Sequence, residues 1–212
     1  MTVKSPEVRP RRGSYARGRA TKENILRSAL DVIGRNGYGA TILRDIAVEV
    51  GMTQAGLLHH FDTKEKLLAE VLRKRDEVNR EILTPSSDLG EPPLIIKLAH
   101  HNVEVPGLVQ LYVRLQAEAV EPEHPCHEYF LDRDVVIHSR VTRDIERRQK
   151  AGLFDPEADA AVVARMLLAL SDGLQSQWAI DPTIDLPGTV DALWNKYARP
   201  SERPAAENTQ PN

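Results

Sequence analysis

Two short segments with side chains that can hydrogen-bond to nucleic acid lie on either side of Gly51. Together they read ILRDIAVEVGMTQAGLLHHF, from Ile42 to Phe61. A glycine at the joint lets the chain turn sharply between two helices. In a helix-turn-helix unit, the second helix presents its N-terminal side chains to the major groove of DNA. The spacing therefore predicts a helix-turn-helix motif at residues 42–61, with helix starts that can hold phosphates at Thr41 and Thr53.

The charge distribution also points to a polyanionic partner for the first third of the chain. Residues 1–75 contain 15 Lys or Arg and 8 Asp or Glu, whereas residues 76–212 contain 13 and 23. The net charge of −3 conceals this division. The segment Met1–Ala20 is basic and interrupted by proline and glycine. We expect residues 1–20 to be a disordered basic arm, because they carry too little apolar surface to fold.

The composition fits a folded chain in a reducing compartment. Hydrophobic residues make up 41% of the 212 positions, which supports a real core, and Cys126 has no second cysteine to pair with. There is no apolar run of the roughly 20 residues that a membrane span needs, and no secretory signal is recognisable. We therefore expect a cytoplasmic protein without a membrane partner. The 5% aromatic content argues against an all-β fold.

Helical periodicity runs along nearly the whole chain and predicts an all-α protein. The first 72 residues predict four helices after the arm. Asp62 and Glu65 resemble a capping box at the start of the fourth helix. Candidate N-caps for the first three helices are Thr21, Thr41 and Thr53. Further helices are predicted at Leu94–His101, at Val105–Val120, over a repeat from Ile137 to Gly152, at Asp155–Trp178 and at Thr189–Tyr197. We expect the proline-rich tail, residues 199–212, to be disordered.

The stretch TILRDIAVEVGMTQAGLLHHFDTKEKLLAEVL, from Thr41 to Leu72, resembles the DNA-binding domain of the TetR family of bacterial transcriptional regulators. The likeness extends back to Thr21. It implies a helix-turn-helix domain at residues 21–72, followed by a helical ligand-binding and dimerisation domain at residues 73–198. The expected function is that of a homodimeric repressor that binds a palindromic operator in double-stranded DNA and is released by a small-molecule effector. An activator remains the alternative, and no cofactor, metal or catalytic residue is implied.

The resemblance also assigns roles to single residues. Arg44 matches a base-contacting position, and a guanidinium can pair with guanine. Gln54 matches another, and its amide can pair with adenine. Ala55 and Gly56 leave room for close approach. Phosphate contacts, with groove contacts as the alternative for the two histidines, are implied for Thr41, Thr53, His59, His60 and Lys64.

The motif departs from the family pattern at Leu58 and contains two adjacent histidines. Leu58 stands where many family members have a tyrosine that binds a phosphate, so one DNA-backbone contact is in doubt. The adjacent His59 and His60 could suggest a metal site. Neighbouring helical positions point about 100° apart, however, whereas helical metal ligands are usually four residues apart. We therefore expect no metal there.

The body of the protein offers weaker signals. Side chains that could line a mixed apolar and polar ligand cavity are His100, His101, Tyr112, Gln116, Phe130 and Trp178. Small and apolar positions on the last two helices predict a dimer interface that includes Ala161, Arg165, Leu168, Asp172, Gly173 and Trp194. Each of these residues could instead complete the core or surface of a monomer.

Two other classes of protein are alternatives to a regulator. An enzyme would use the cluster His124, Cys126, His127 and Glu128 as a metal site or thiol nucleophile, but the ligand spacing is not one that metal sites use, and prolines break the segment. A helical adaptor would use the basic arm only for solubility. Because phosphate neutralisation makes DNA affinity fall steeply with salt, the salt dependence separates the adaptor from the regulator.

Overall fold

The computed structural model describes residues 12–39, 41–80, 82–84 and 86–199, with side chains from Gly18 onward except that of Arg19. Within these ranges, helices joined by turns account for the fold, and the single β-bridge pairs Phe154 with Ala198. The all-α prediction is confirmed. The helices are α1 (Arg12–Asn36), α2 (Ile42–Glu49), α3 (Gln54–His59), α4 (Lys64–Val78), α5 (Leu94–Glu104), α6 (Pro106–Glu118), α7 (His127–Lys150), α8 (Ala160–Trp178) and α9 (Leu186–Trp194).

Helices α1 to α4 form an N-terminal head around one apolar core. The turns that join them use left-handed backbone: Gly37 ends α1 with φ +75°, and Gly51 separates α2 from α3 with φ +66°. Glycine adopts this conformation without the penalty that a β carbon brings. Buried side chains from all four helices then meet, among them Ile25, Ile33, Ile46, Leu57 and Leu67.

Helices α5 to α9 form the body, whose separate core contains Ile95, Ile145, Phe154, Leu167 and Val190. Helices α7 and α8 pack antiparallel. Asp134 near the start of α7 pairs with Arg165, and His138, one turn later, hydrogen-bonds to the carbonyl of Ala161, one turn earlier in α8. This pairing fixes which faces of the two helices remain outside the protomer.

The body is seated on the head through α6. Its apolar side chains Leu108, Leu111 and Leu115 belong to the core cluster of the head. At its first turn, Gly107 lies against the backbone of Ile33, near the end of α1. Helix α4 also crosses the predicted domain boundary between residues 72 and 73, because it continues without a break to Val78.

Several predicted helix boundaries are wrong. Helix α1 begins at Arg12 instead of Thr21, so residues 12–20 of the predicted disordered arm are helical. Two glycines in this segment do not stop the helix, since an interior glycine costs only about 1 kcal/mol relative to alanine. Residues 1–11 of the arm, and the tail beyond Arg199, lie outside the described residues.

In the body, three helices begin at residues other than the predicted ones. Asp159 rather than Asp155 caps α8, accepting hydrogen bonds from the backbone N–H groups of Ala161 and Val162. Asp185 caps α9, with a proline in the first turn, so that helix spans Leu186–Trp194 instead of starting at Thr189. Helix α7 starts at His127, ten residues before the repeat that predicted it. None of the described helices combines the length and apolar character needed to cross a membrane.

Candidate nucleic-acid interface and effector site

Helix α3 packs one face against the head core and exposes the opposite face to solvent. Leu57 and Phe61 are buried in the head core, whereas Gln54, Ala55 and His59 are exposed. Thr53 has extended backbone, and its Oγ1 accepts a hydrogen bond from the N–H of Gly56 at 3.0 Å, as its predicted capping role requires. The first turn of α3 is therefore a rigid, solvent-facing element.

Helix α2 braces α3 and exposes one predicted contact. Ile42, Ile46 and Ala47 are buried, and Arg44 on the opposite face is exposed. Thr41 precedes the helix, but its side chain makes no capping bond. Its hydroxyl instead donates to Asp45 Oδ2 at 2.9 Å, so the prediction that it caps α2 is wrong.

The start of α4 departs from the predicted capping box. Asp62 has φ +66°, outside the range of an N-cap, and Thr63 takes that role by accepting from the N–H of Lys66 at 3.2 Å. Lys64 follows directly, with its ammonium 5.4 Å from the ring centre of Tyr38. The Arg114 guanidinium of α6 lies 5.5 Å from the centre of the same ring.

The remaining predicted contacts lie close together on α3. The rings of His59 and His60 are 6.0 Å apart with an interplanar angle of 66°. His60 and Leu58 are half-buried, and Gly56 stands over the Thr53 hydroxyl. Across the described ranges, no group of three or more His, Cys, Asp or Glu side chains is arranged to hold a metal ion.

Three of the six predicted ligand residues lie on α6 and α7, where Tyr112 and Phe130 pack in the core cluster of the head. The rings of Tyr112 and Phe130 are 5.2 Å apart at an angle of 67°, and Gln116 follows Tyr112 by one turn of α6. The Gln116 amide donates to Asp172 Oδ2 at 3.2 Å. The other three lie elsewhere. His100 is exposed, His101 hydrogen-bonds to Asn79 at 2.9 Å, and Trp178 is buried in the body core.

A buried polar network, which the sequence reasoning missed, surrounds Tyr112 and joins three helices. Asp76 Oδ2 of α4 accepts from the Tyr129 hydroxyl at 2.8 Å and from Arg133 Nε at 3.0 Å, both in α7. Arg133 also donates to the Tyr112 hydroxyl at 3.2 Å. Arg75 donates to Asp76 Oδ1, and its guanidinium stands 5.0 Å from the Tyr112 ring centre.

The pKa values of the two half-buried carboxyl groups of this region shift in opposite directions. Burial alone would raise the pKa of Asp76, but the charges of Arg75 and Arg133 and the Tyr129 hydroxyl hold it below its ordinary value. Burial raises the pKa of Asp172, and the Gln116 amide and Arg133 offset that effect only in part. Folding therefore lowers the pKa of Asp76 and raises that of Asp172.

The predicted dimer residues divide into three groups. Ala161, Arg165, Leu168 and Asp172 lie along the seam between α7 and α8, where Arg165 binds both carboxylate oxygens of Asp134. Gly173 is on the exposed face of α8. Trp194 is buried, with its ring 4.8 Å from that of Phe154, so it is unavailable on the protomer surface.

Cys126, the thiol of the cluster that an enzyme would use, is buried and lacks the features of a nucleophile. Cys126 is fully buried, and its Sγ lies 3.8 Å from the carbonyl oxygen of Glu65. Burial raises its pKa to about 11, whereas a nucleophilic cysteine needs a lowered pKa. His124 and His127 instead contact backbone, at Cys126 N–H and the Ala119 carbonyl.

An exposed second helix after a glycine turn, in a head of four helices, defines a helix-turn-helix domain. Residues 25–71 match the family model described as bacterial regulatory proteins, tetR family. Residues 25–71 therefore form a DNA-binding domain of the TetR family, and the curated relatives that match most of the chain are transcriptional regulators.

Similarity to known members extends over most of the chain. It is 24% identical over 181 residues to the transcriptional regulator TtgR of Pseudomonas putida, covering 81% of this chain and 86% of that one. It is 28% identical over 160 residues to the regulator BetI of Agrobacterium fabrum, covering 72% and 74%. A regulator structure from Saccharomonospora viridis, in complex with choline, has the same fold, with a TM-score of 0.66, 22% identity and coverage of 86% and 100%.

Proposed function

We propose that this chain acts in the cytoplasm as a homodimeric repressor that binds a palindromic operator and is released by a small molecule. The observation that carries the proposal is the exposed first turn of α3, held rigidly by Leu57 and by the Thr53 cap. A rigid helix that offers polar side chains to solvent is what major-groove recognition requires.

In this proposal, the side chains at the front of the head divide into two kinds of contact. Gln54 and Arg44 read base edges, and Ala55 contacts a thymine methyl group or lies close to the groove wall. The phosphate contacts are those of Thr41, Thr53, His59, His60 and Lys64, with Gly56 allowing close approach. Leu58, half-buried and without a hydroxyl, makes no phosphate hydrogen bond.

The dimer forms through the outer faces of α7 and α8. These faces expose Leu131 and Val135 on α7 with Val162 and Met166 on α8, at fractional exposures from 38% to 68%. The small residues Ala169 and Gly173 lie on the same face of α8, and no side chain crowds the Gly173 position. A two-fold axis through this surface would place two α7 and two α8 helices in a four-helix bundle.

The effector binds in the body and changes the position of the head. A protein of the same fold has been solved in complex with a small molecule, choline, which supports an effector of that size class. Helices α4 and α6 connect the buried network around Tyr112 to the head. A typical coupling of about 1–3 kcal/mol between two sites changes affinity by about 5–150-fold.

The test is selection of bound duplexes from a random pool, followed by affinity measurements on the selected site. Replacing Gln54 by Ala should weaken binding to the selected site at least tenfold and leave binding to unrelated duplexes unchanged. Lys64→Ala should weaken binding to all duplexes about equally and reduce the salt slope of the affinity by about 1. Lys150→Ala, which removes an exposed lysine from the end of α7, is the matched control and should change neither.

Two results would contradict the proposal. One is a wild-type chain that stays monomeric and selects no duplex sequence at low salt, which would favour the adaptor class. The other is an unchanged selected-site affinity in both the Gln54 and Lys64 variants, which would show that α3 does not face the groove in the assigned orientation.

A further inference from the structure

A groove of about 360 Å³ runs between α4 and α7. Its floor contains Tyr129 and Arg133 of the buried network. One part of its wall is basic, and another is apolar. The basic part is formed by Arg73 of α4, by Arg80 just beyond the end of α4 and by Arg140 of α7.

The carboxylates of the groove do not balance these arginines. Asp76 is held by Arg75 and Arg133 within the buried network. Glu77 pairs with Lys74 at 3.1 Å. Asp132 is then the one acidic side chain of the groove lining that makes no ion pair within the described part of the chain. The internal ion pairs therefore leave an excess of positive charge in the groove.

The three wall arginines, Arg73, Arg80 and Arg140, are available for an external partner. Arg140 donates from Nη1 to the backbone carbonyl of Leu83 at 2.7 Å, which positions its guanidinium without neutralising it. Arg73 lies 5.7 Å from the ring centre of Tyr129. In the described ranges, the guanidinium of Arg80 has no hydrogen-bond or ion-pair partner. Guanidinium groups bind carboxylates and phosphates in a planar, two-bond geometry.

Beside these arginines, the lining includes Leu83, Val136 and Ile137. Val136 is 43% exposed, although it is a large apolar side chain on the body surface. Leu83 and Ile137 are already buried, but an inorganic anion would leave the exposed carbon atoms of Val136 in contact with water. A ligand with an anionic group at one end and a short apolar portion at the other would satisfy both parts of the wall.

We propose that the groove between α4 and α7 binds a small amphipathic anion, whose charged group is held by Arg73, Arg80 and Arg140 and whose apolar part covers Val136. The proposal rests on the function proposed above, because it names the chemical class of the effector. A ligand in this groove bridges α7 to α4, the helix that carries Lys64 at its other end. It therefore stabilises one position of α4 relative to the body.

The experiment measures binding by calorimetry and by the shift in Tm of the full chain. The probes are octanoate, octylammonium, octanol and inorganic phosphate, which separate charge sign from apolar content. Octanoate should bind at least tenfold more tightly than each of the other three. Equal binding of octanol or octylammonium would overturn the anionic assignment, and equal binding of phosphate would overturn the apolar one.

Charge-reversal variants locate the site. Arg80→Glu should reduce octanoate affinity at least tenfold. Arg143→Glu is the matched control, because Arg143 is an exposed arginine of α7 that lies outside the groove and bonds to Ser139. An equal effect of both variants would overturn the site. Should Arg80→Glu alter the fold, seen by circular dichroism, Val136→Asn gives a second test, since it should weaken octanoate and leave the weaker binding of phosphate unchanged.

DNA binding is measured separately on the same samples. A wild-type chain that binds its selected duplex but not octanoate would overturn this inference and leave the proposed regulator intact. A chain that binds octanoate in the groove but selects no duplex would contradict the regulator and retain the anion site.

Discussion

Gly107 of α6 and Ile33 of α1 approach so closely that a β carbon on Gly107 would stand 2.0 Å from the carbonyl oxygen of Ile33. The same β carbon would be 2.9 Å from the α carbon of Gly37. Both neighbours are backbone atoms, so neither can rotate away. The contact between head and body therefore depends on the absence of a side chain at position 107.

We expect Gly107→Ala to separate α6 from α1. Overpacking of this kind costs about 1–3 kcal/mol, so the Tm should fall, and the affinity for the selected duplex should change because the head is displaced. Thermal unfolding and fluorescence anisotropy measure the two effects. Gly34→Ala is the control, since nothing lies within 4 Å of that position in α1 and alanine favours a helix. A Gly107 variant as stable as the Gly34 variant would show that the two helices tolerate separation.

The caps of α3 and α4 allow stability and DNA contact to be separated. Thr53 and Thr63 each accept one backbone hydrogen bond, so replacing either by Ala should cost about 1 kcal/mol of stability. Only Thr53 is also a proposed phosphate contact. Thr53→Ala should therefore lose several-fold more duplex affinity than Thr63→Ala, measured by anisotropy well below both Tm values. Equal losses would assign Thr53 a capping role alone.

The proposed dimer surface can be disrupted by one buried charge. Val162 is 54% exposed on the outer face of α8, so an aspartate there is harmless in a monomer but must be desolvated in a dimer. Val162→Asp should raise the dimer dissociation constant at least tenfold, as measured by sedimentation across a concentration series. Val120→Asp, a change at an equally apolar residue with 74% exposure beyond the end of α6, should leave the constant unchanged. The same constant in both variants would remove α8 from the interface.

The opposite pKa shifts of Asp172 and Asp76 predict that replacing each by asparagine changes the Tm in opposite directions. Burial raises the pKa of Asp172 in the folded state, so this group costs stability as the pH rises through its folded-state pKa. Asp172→Asn should therefore raise the Tm at pH 7 by about 2–4 °C per kcal/mol gained, and the gain should shrink as the pH is lowered toward 4. Its amide oxygen can still accept from Gln116.

Asp76→Asn is the comparison for that experiment. The pKa of Asp76 is lowered by its arginine partners despite burial, so the ionised form contributes stability that is lost only in acid. At pH 7 this variant should melt at a lower temperature than wild type. The same direction of change in both variants would mean that general loss of negative charge, rather than the network, sets the response.

The head could be predicted from sequence largely because its signals are local. Gly51, Thr53 and the apolar spacing that buries Leu57 act within a few residues of one another, and the structure contains each as predicted. One error arose where two adjacent residues competed for one role. Asp62 and Thr63 are both capable caps, and the backbone angle of Asp62 decides between them.

The body network could not be predicted because its partners are distant in sequence. Asp76 and Arg133 are 57 residues apart, and Tyr112 is 21 residues from Arg133. No periodicity relates such positions, so composition alone suggested Tyr112 but not the residues that hold it. Trp194 was misplaced for the related reason that an apolar helix face fits a core as well as an interface. The contact with Phe154 decides for the core.

The buried sulfur of Cys126 gives this regulator an intrinsic reporter. Since the thiol packs on the start of α4 and the chain contains one cysteine, an alkylating reagent can react only during openings that expose this buried contact between α4 and the segment before α7. The labelling rate then measures how often such openings occur. Operator or effector, by holding one arrangement of the two parts, would alter that rate without the addition of any probe to the molecule.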